Sequence, residues 1–274
     1  MADAAQFSVI VMAGRRSGVV NPIAQRAGVS HKCLAPIRGK PLILHVFTAL
    51  AETPGVKRVR VCMEPDGWDG VRALAGVLQE KDIPLDFVEA RDSLADSAHA
   101  AAEGLEGPLL FTTADNVLST PDAMLRTMQA VFAGSDVSVA LARREAVLAA
   151  RGEKPGPTTK NVGPYRFADG RFSNCNLYGL AGAHVIKAAE MFREGGQFSK
   201  NRGRLIRAVG LFNVILLLLR LVSLDAAMRR LSRRFGVSIA AARMLDGSQA
   251  VDVDSFRTYD FAEKILIQRE VSAA

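Results

Sequence analysis

Aromatic residues make up only 6% of this 274-residue chain, and its most basic stretch, 202–235, holds just Phe212 and Phe235, which argues against a stacking platform for single-stranded nucleic acid. Cysteine is equally scarce. Cys33, Cys62 and Cys175 are far apart, odd in number and without a C-x-x-C pair, so neither a disulfide framework nor a zinc site is expected, and the thiols read as those of a reduced, cytoplasmic protein. The four histidines, His31, His45, His99 and His184, lack metal-ligand spacing. No Ser/His or Cys/His pair marks a covalent nucleophile. The longest apolar run, Ala208 to Leu219 with Asn213 inside it, falls well short of the roughly 20 residues that span a bilayer. The first residues carry Asp3 and no basic stretch ahead of an apolar one, so no secretory leader is expected. There is no internal repeat.

What is present is a chain that is 49% hydrophobic and 23% charged, enough to bury a sizeable core. One domain over residues 1–274 is expected, with a helical insert at about 190–236. The formal charge of +7 is local: residues 202–235 hold eight arginines against the single acid Asp225, and the rest of the chain balances. This distribution does not predict a nucleic-acid partner.

Phe7 to Met12 is a short β-branched run ending at Ala13-Gly14, the pattern of a buried parallel strand entering a turn. Leu42, Val46 and Leu50 follow Pro41 at helical spacing, and Val59, Val61 and Met63 alternate with Arg58, Arg60 and Cys62 in a second strand. Val71, Leu74 and Leu78 predict one further helix. Strands at 85–90, 109–113 and 137–142 alternate with helices from about Ser97 and from Thr120-Pro121. The loop 151–164 is rich in Pro, Gly and Thr, and residues 165–180 predict a hairpin around Ala168 to Arg171. A helix at 183–193, the apolar and arginine-rich stretch 204–235, a strand at 237–245 and a helix from about Tyr259 complete the chain. The fold class is α/β, a three-layer, Rossmann-like, mixed but mostly parallel sheet with helices on both faces. Such sheets bind ligands at the carboxyl ends of their strands.

Three segments carry residues suited to chemistry. The turn Ala13-Gly14-Arg15-Arg16 follows a strand, where successive backbone N–H groups make an anion cradle and arginines add charge-assisted hydrogen bonds. Asp115 ends the strand 109–113, a place suited to a hard Mg²⁺ ion that needs oxygen ligands. Asp252 and Asp254 form an acidic turn before the last helix, where the helix dipole alone also favours acids.

The segments VIVMAGRRSG (9–18) and HKCLAPIRGKPLI (31–43) together resemble the N-terminal signature of the MobA-like NTP transferases, of the nucleotide-diphospho-sugar transferase superfamily. TTADN at 112–116 and VDVDS at 251–255 resemble that family's two metal-binding motifs. The resemblance implies that Lys32 contacts the α-phosphate, and Arg15 or Arg16 the β- and γ-phosphates, on a loop of Ala13, Gly14, Arg15 and Arg16. It further implies that Asp115 and Asp254, with Asp252 as the alternative, hold Mg²⁺. Ser97 falls where the family reads the nucleobase, or is a plain helix cap. Asn174 and Asn176 fall near the acceptor, or satisfy strand-edge backbone groups. The implied reaction transfers an NMP from an NTP to a phosphorylated acceptor, a phosphosugar, cofactor precursor or lipid headgroup, releasing pyrophosphate.

Two other readings compete. A nucleotide-sugar-dependent glycosyltransferase needs an Asp-x-Asp directly after a central strand, whereas here the doublet is C-terminal. A non-catalytic nucleotide-binding or membrane-surface scaffold would use the basic stretch 202–235 against anionic lipid, placing the protein at the inner face of the membrane. In the alternative reading that stretch is a buried helix followed by a basic amphipathic one. The base of the NTP and the oligomeric state are left open by the sequence.

Overall fold

A computed structural model describes residues 5–15, 21–186 and 221–273. Arg16 and the apolar run 208–219 lie outside the described residues. The strands are β1 (Phe7–Met12), β2 (Val56–Met63), β3 (Leu85–Glu89), β4 (Leu109–Thr113), β5 (Val137–Arg143), β6 (Tyr165–Phe167), β7 (Gly170–Leu180) and β8 (Ile239–Met244). They form one 8-stranded sheet in the order β8-β5-β7-β4-β1-β2-β3, with β6 added to β7. Pairings are parallel except where β7 runs antiparallel between β4 and β5 and against β6. The mixed, mostly parallel α/β architecture is as expected.

β1 shows why the sheet is buried on both faces. Successive side chains of a strand point to opposite sides. Val9 and Val11 enter a core with Leu42, Val46 and Leu50 of α2 (Leu42–Ala51), Met124 and Met128 of α3 (Pro121–Phe132), and Ala262 and Ile265 of α4 (Phe256–Ala273). Ile10 enters the opposite core with Ala101 and Ala102 of α5 (Leu94–Ala102) and Leu224 and Met228 of α6 (Leu224–Phe235). The short helix α1 (Pro22–Ala27), capped by Asn21, precedes the Lys32 turn.

The sequence order turns back at β1: β2 and β3 build outward on one side, and β4 returns to the other. That switch point opens a crevice at the carboxyl ends of β1 and β4, from which Ala13 to Arg15 and Asp115 emerge.

Several local expectations are corrected. The helix expected from Val71 to Leu78 is broken into Trp68–Arg72 and Gly76–Gln79, with glycines at 70 and 76 weakening a continuous helix. α5 starts at Leu94, not Ser97, because Ser93 is its cap and accepts from Asp96 N at 3.1 Å. α4 starts at Phe256 rather than Tyr259. Residues 144–151, passed over in the sequence, form a helix α7 (Arg144–Arg151). Of the helix expected at 183–193, the described part is a short turn, Ala183–Val185. On β2 the polar face is closed: Cys62 is buried, and Arg60 pairs with Asp86 of β3 at 2.8 Å.

Of the two helices in the buried alternative, only the basic amphipathic one lies within the described residues. α6 turns Leu224, Ala227 and Met228 into the core, Ser223 caps it, and Asp169 accepts from Leu224 N at 2.8 Å. Its apolar face is thus occupied by the sheet, and only its arginine edge faces outward. Among the described residues no helix is long and apolar enough to cross a membrane.

α7 packs so closely on residues 247–250 that a Cβ at Gly247 would lie 2.1 Å from the Ala146 carbonyl carbon. Gly247→Ala is expected to cost about 1–3 kcal/mol through overpacking. Urea denaturation checks this, and an unchanged midpoint would show that the contact is slack.

Candidate active site

The site forms where three chain segments end together. β4 carries Asp115 to the crevice, where the residue is largely buried. The segment after residue 250 is fastened to it by Val253 N donating to Asp115 O at 3.1 Å. The turn that presents Asp252 and Asp254 is held by Thr258, whose hydroxyl accepts from the backbone N–H of Asp254 and of Ser255 at 3.0 Å each, while Ser255 Oγ accepts from Thr258 N at 3.2 Å. This reciprocal cap explains why α4 begins where it does. Lys32 sits in a short turn, Lys32–Leu34, and reaches across to the acids.

Lys32 Nζ donates to Asp254 Oδ1 at 2.7 Å and also to Asp115 Oδ2. Burial works against its charge, but Asp115 and Asp254 outweigh that and hold its pKa above the ordinary lysine value. For Asp254, burial pushes the carboxyl up, yet the Lys32 ammonium prevails and holds it low. Asp252 goes the other way. Burial, followed by repulsion from Asp115 and Asp254, raises it to about 7.

One oxygen from each of Asp115, Asp252 and Asp254 lies within 4.8 Å of the others. Three converging carboxylates with one ammonium between them form an electron-rich oxygen set, and Asp115 Oδ1 is buried with no partner. Those features fit a hard divalent cation. Both alternatives for the second carboxylate, Asp254 and Asp252, are therefore present in the cluster.

The two asparagines extend it. β7 is irregular opposite Val139 to Leu141, and Asn176 there takes a left-handed conformation, φ 51°, which asparagine tolerates better than most residues. Its Nδ2 donates to Asp252 Oδ2 at 3.1 Å. Asn174 steadies it, Oδ1 accepting from Asn176 N at 3.2 Å and Nδ2 donating to Tyr178 Oη. Asn176 thus serves the acid cluster.

Gly14 and Arg15 lie at the other end of the crevice. Arg15 N donates to both oxygens of Glu64, at 3.0 and 3.1 Å, and its guanidinium donates to Asp66 at 3.0 Å. Ser97 is buried inside α5: its hydroxyl accepts from Arg91 N at 2.8 Å and donates to Arg91 O at 3.2 Å, bracing the turn after β3. The plain helix-cap alternative for Ser97 is therefore replaced by this brace. A cavity of about 860 Å³ opens beside that turn, lined among others by Arg91, Asp92 and Ile186. None of its lining residues belongs to the acid cluster.

Sequence reasoning missed Glu64, Asp66 and His31 beside the loop, and Arg151 and Arg257 beyond Asp252, whose guanidiniums lie 5.5 and 5.6 Å from the Phe261 ring centre. No motif marks Glu64, Asp66, Arg151 or Arg257, and His31 stands in the Lys32 motif without an assigned role. The available signal was position alone, since Glu64 follows β2 and Arg257 opens α4.

A family model for the MobA-like NTP transferase domain matches residues 9–203. The chain belongs to the MobA-like NTP transferase family. As such it is a nucleotidyltransferase. A hypothetical transferase from Thermus thermophilus shares 26% identity and superposes with a TM-score of 0.69, covering 93% of this chain and 99% of that one. The 2-C-methyl-D-erythritol 4-phosphate cytidylyltransferase of Cereibacter sphaeroides is 26% identical over 163 residues, 58% of this chain and 68% of the relative. A CMP:2-keto-3-deoxy-manno-octonic acid synthetase complexed with CTP shares the fold at 15% identity, TM-score 0.54, over 96% of this chain and 100% of the other. The family match ends before Asp252 and Asp254, which join the site through β8 and α4.

Mg²⁺ or Mn²⁺ is expected to raise the thermal midpoint of the protein, because an ion that binds only the folded state stabilises it. Asp115→Asn combined with Asp254→Asn should abolish that rise. A rise that survives the double substitution would place the ion elsewhere.

Proposed function

We propose that this nucleotidyltransferase moves a nucleoside monophosphate from a magnesium-bound NTP to a phosphorylated acceptor and releases pyrophosphate, within one domain whose segment beyond residue 203 supplies Asp252 and Asp254. The observation that carries this reading is the convergence of Lys32 with Asp115, Asp252 and Asp254 at the sheet's switch point. CTP is the first nucleotide to test, because the curated relative is named a cytidylyltransferase.

Asp115 and Asp254, with Asp252 beside them, would hold Mg²⁺, whose chemistry is to neutralise charge on the triphosphate oxygens. Lys32 now lies between two of these carboxylates, and the same ammonium is suited to meet the α-phosphate. Asn176 keeps Asp252 turned toward the other acids. Gly14 offers a backbone donor where the β- and γ-phosphates would extend, and the Arg15 guanidinium, now paired with Asp66, a charged one. An oxygen of the acceptor phosphate forms the new bond to the α-phosphorus as the bond to the pyrophosphate oxygen breaks. That oxygen is already ionised at neutral pH, so no strong base is needed, and positioning with charge stabilisation suffices. Arg151 lies within electrostatic reach of Asp252 and adds positive charge on the side where an anionic acceptor would sit, while Arg257 pairs with Glu153.

Pyrophosphate release from each of the four NTPs with Mg²⁺, against a panel of phosphorylated acceptors, tests the reading. One NTP should support acceptor-dependent release. Asp115→Ala and Lys32→Ala should each lower kcat at least about a hundredfold, the scale on which charge-stabilising groups act. Full activity in Asp115→Ala would sink the assignment.

A further inference from the structure

Within the nucleotide-binding reading above, we propose that Glu64 is a positioning residue: its carboxylate joins the phosphate loop at Arg15 to His31, and so to Lys32, as one preorganised unit.

The argument starts from the sheet. β1 and β2 pair in parallel up to Met12 and Cys62, and one further ladder bond, Ala13 N to Cys62 O at 2.9 Å, closes the pair. Beyond that point the two backbones separate and Arg15 N has no ladder acceptor. Glu64, emerging from the end of β2, provides one, and both its oxygens accept from that N–H, at 3.0 and 3.1 Å. The loop is thereby held to the rigid sheet at the residue where the sheet itself runs out.

The same carboxylate reaches the second half of the site. Glu64 Oε2 lies 3.2 Å from His31 Nε2, and the other ring nitrogen of His31 lies 2.9 Å from Ser30 Oγ. The His31 ring is fully buried. It is seated against Gly67, where a Cβ would come within 2.7 Å of the ring, so it has no room to swing away. Gly14 is similarly confined, since a Cβ there would be 3.1 Å from Ala90 Cβ. His31 directly precedes Lys32, so a displacement of the ring is transmitted to the ammonium that meets Asp115 and Asp254. Asp66 takes the Arg15 guanidinium at 3.0 Å and completes the bracket.

A loop and a lysine arriving from separate segments must otherwise be ordered by the nucleotide, at a cost in affinity. A carboxylate beside a phosphate cradle has an opposite reading too: as a resident anion it would compete with the triphosphate, and its removal would tighten binding. The two predict opposite signs.

The test is calorimetric binding of MgCTP, MgGTP, MgATP and MgUTP to the whole protein, as wild type, Glu64→Ala and Glu64→Gln, followed by steady-state kinetics. For the nucleotide that wild type binds, Glu64→Ala should weaken binding about ten-fold, the equivalent of leaving roughly one residue's backbone to be ordered by the ligand. Glu64→Gln should recover most of that loss, because its amide oxygen still accepts from Arg15 N–H, and the acceptor KM should not move. Nucleotide binding by Glu64→Ala equal to or tighter than wild type overturns the proposal while leaving the transferase reading intact. Failure of wild type to bind any of the four nucleotides overturns the transferase reading and this proposal with it.

Discussion

Like charges do not gather unless something holds them, and the site depends on the ammonium of Lys32 lying between Asp115 and Asp254. The carboxylates arrive on two segments far apart in the chain, and each is supported: Asp115 by β4 in the middle of the sheet, Asp252 and Asp254 by the Val253 bond to Asp115 and the Ser255–Thr258 cap of α4. The remaining repulsion is visible in Asp252, whose carboxyl is driven up to about 7 by burial and by its two neighbours. Such crowded carboxylates cost stability unless a cation joins them, and they stand at a switch point, where α/β sheets bind ligands.

The rest of the molecule supplies rigidity to that arrangement. β1 is buried on both faces and paired on both edges, so the turn after Met12 starts from a fixed point. β7, inserted antiparallel, brings Asn176 to Asp252, and its backbone irregularity is what aims the amide. Asn116 ties the end of β4 to β7 through the Cys175 carbonyl at 3.0 Å. Polar groups confined in this way lose little freedom when substrate arrives, and that favours catalysis by positioning over catalysis by a covalent nucleophile.

The charge of the chain also takes on a different meaning in three dimensions. As a sequence, the arginine stretch invites a membrane surface. In the structure, α6 spends its apolar face on the sheet and enters an ion-pair network in which Arg243 meets Asp225 at 2.9 Å. Arg229, Arg230, Arg233 and Arg234 follow from an amphipathic helix that needs a solvated side.

The strand-helix alternation, the α/β class, Lys32, Asp115 and the acidic turn at 252–254 were legible in the sequence by itself, because buried parallel strands read as apolar runs and a motif keeps its residues adjacent. Helix starts were less legible, since a cap such as Ser93 or Ser255 acts through a side chain whose competition with nearby serines and threonines is settled only by geometry. Ser97, open to a base or cap role in the sequence, has its hydroxyl committed to the backbone of Arg91. Glu64 and Arg257 carry no motif, and their partners Arg15, His31 and Glu153 are remote in sequence. Which acids meet, which asparagine faces them and which carboxylate holds the turn after β1 were decided by the tertiary structure, because electrostatics and hydrogen bonding act over ångströms in space and are indifferent to distance along the chain.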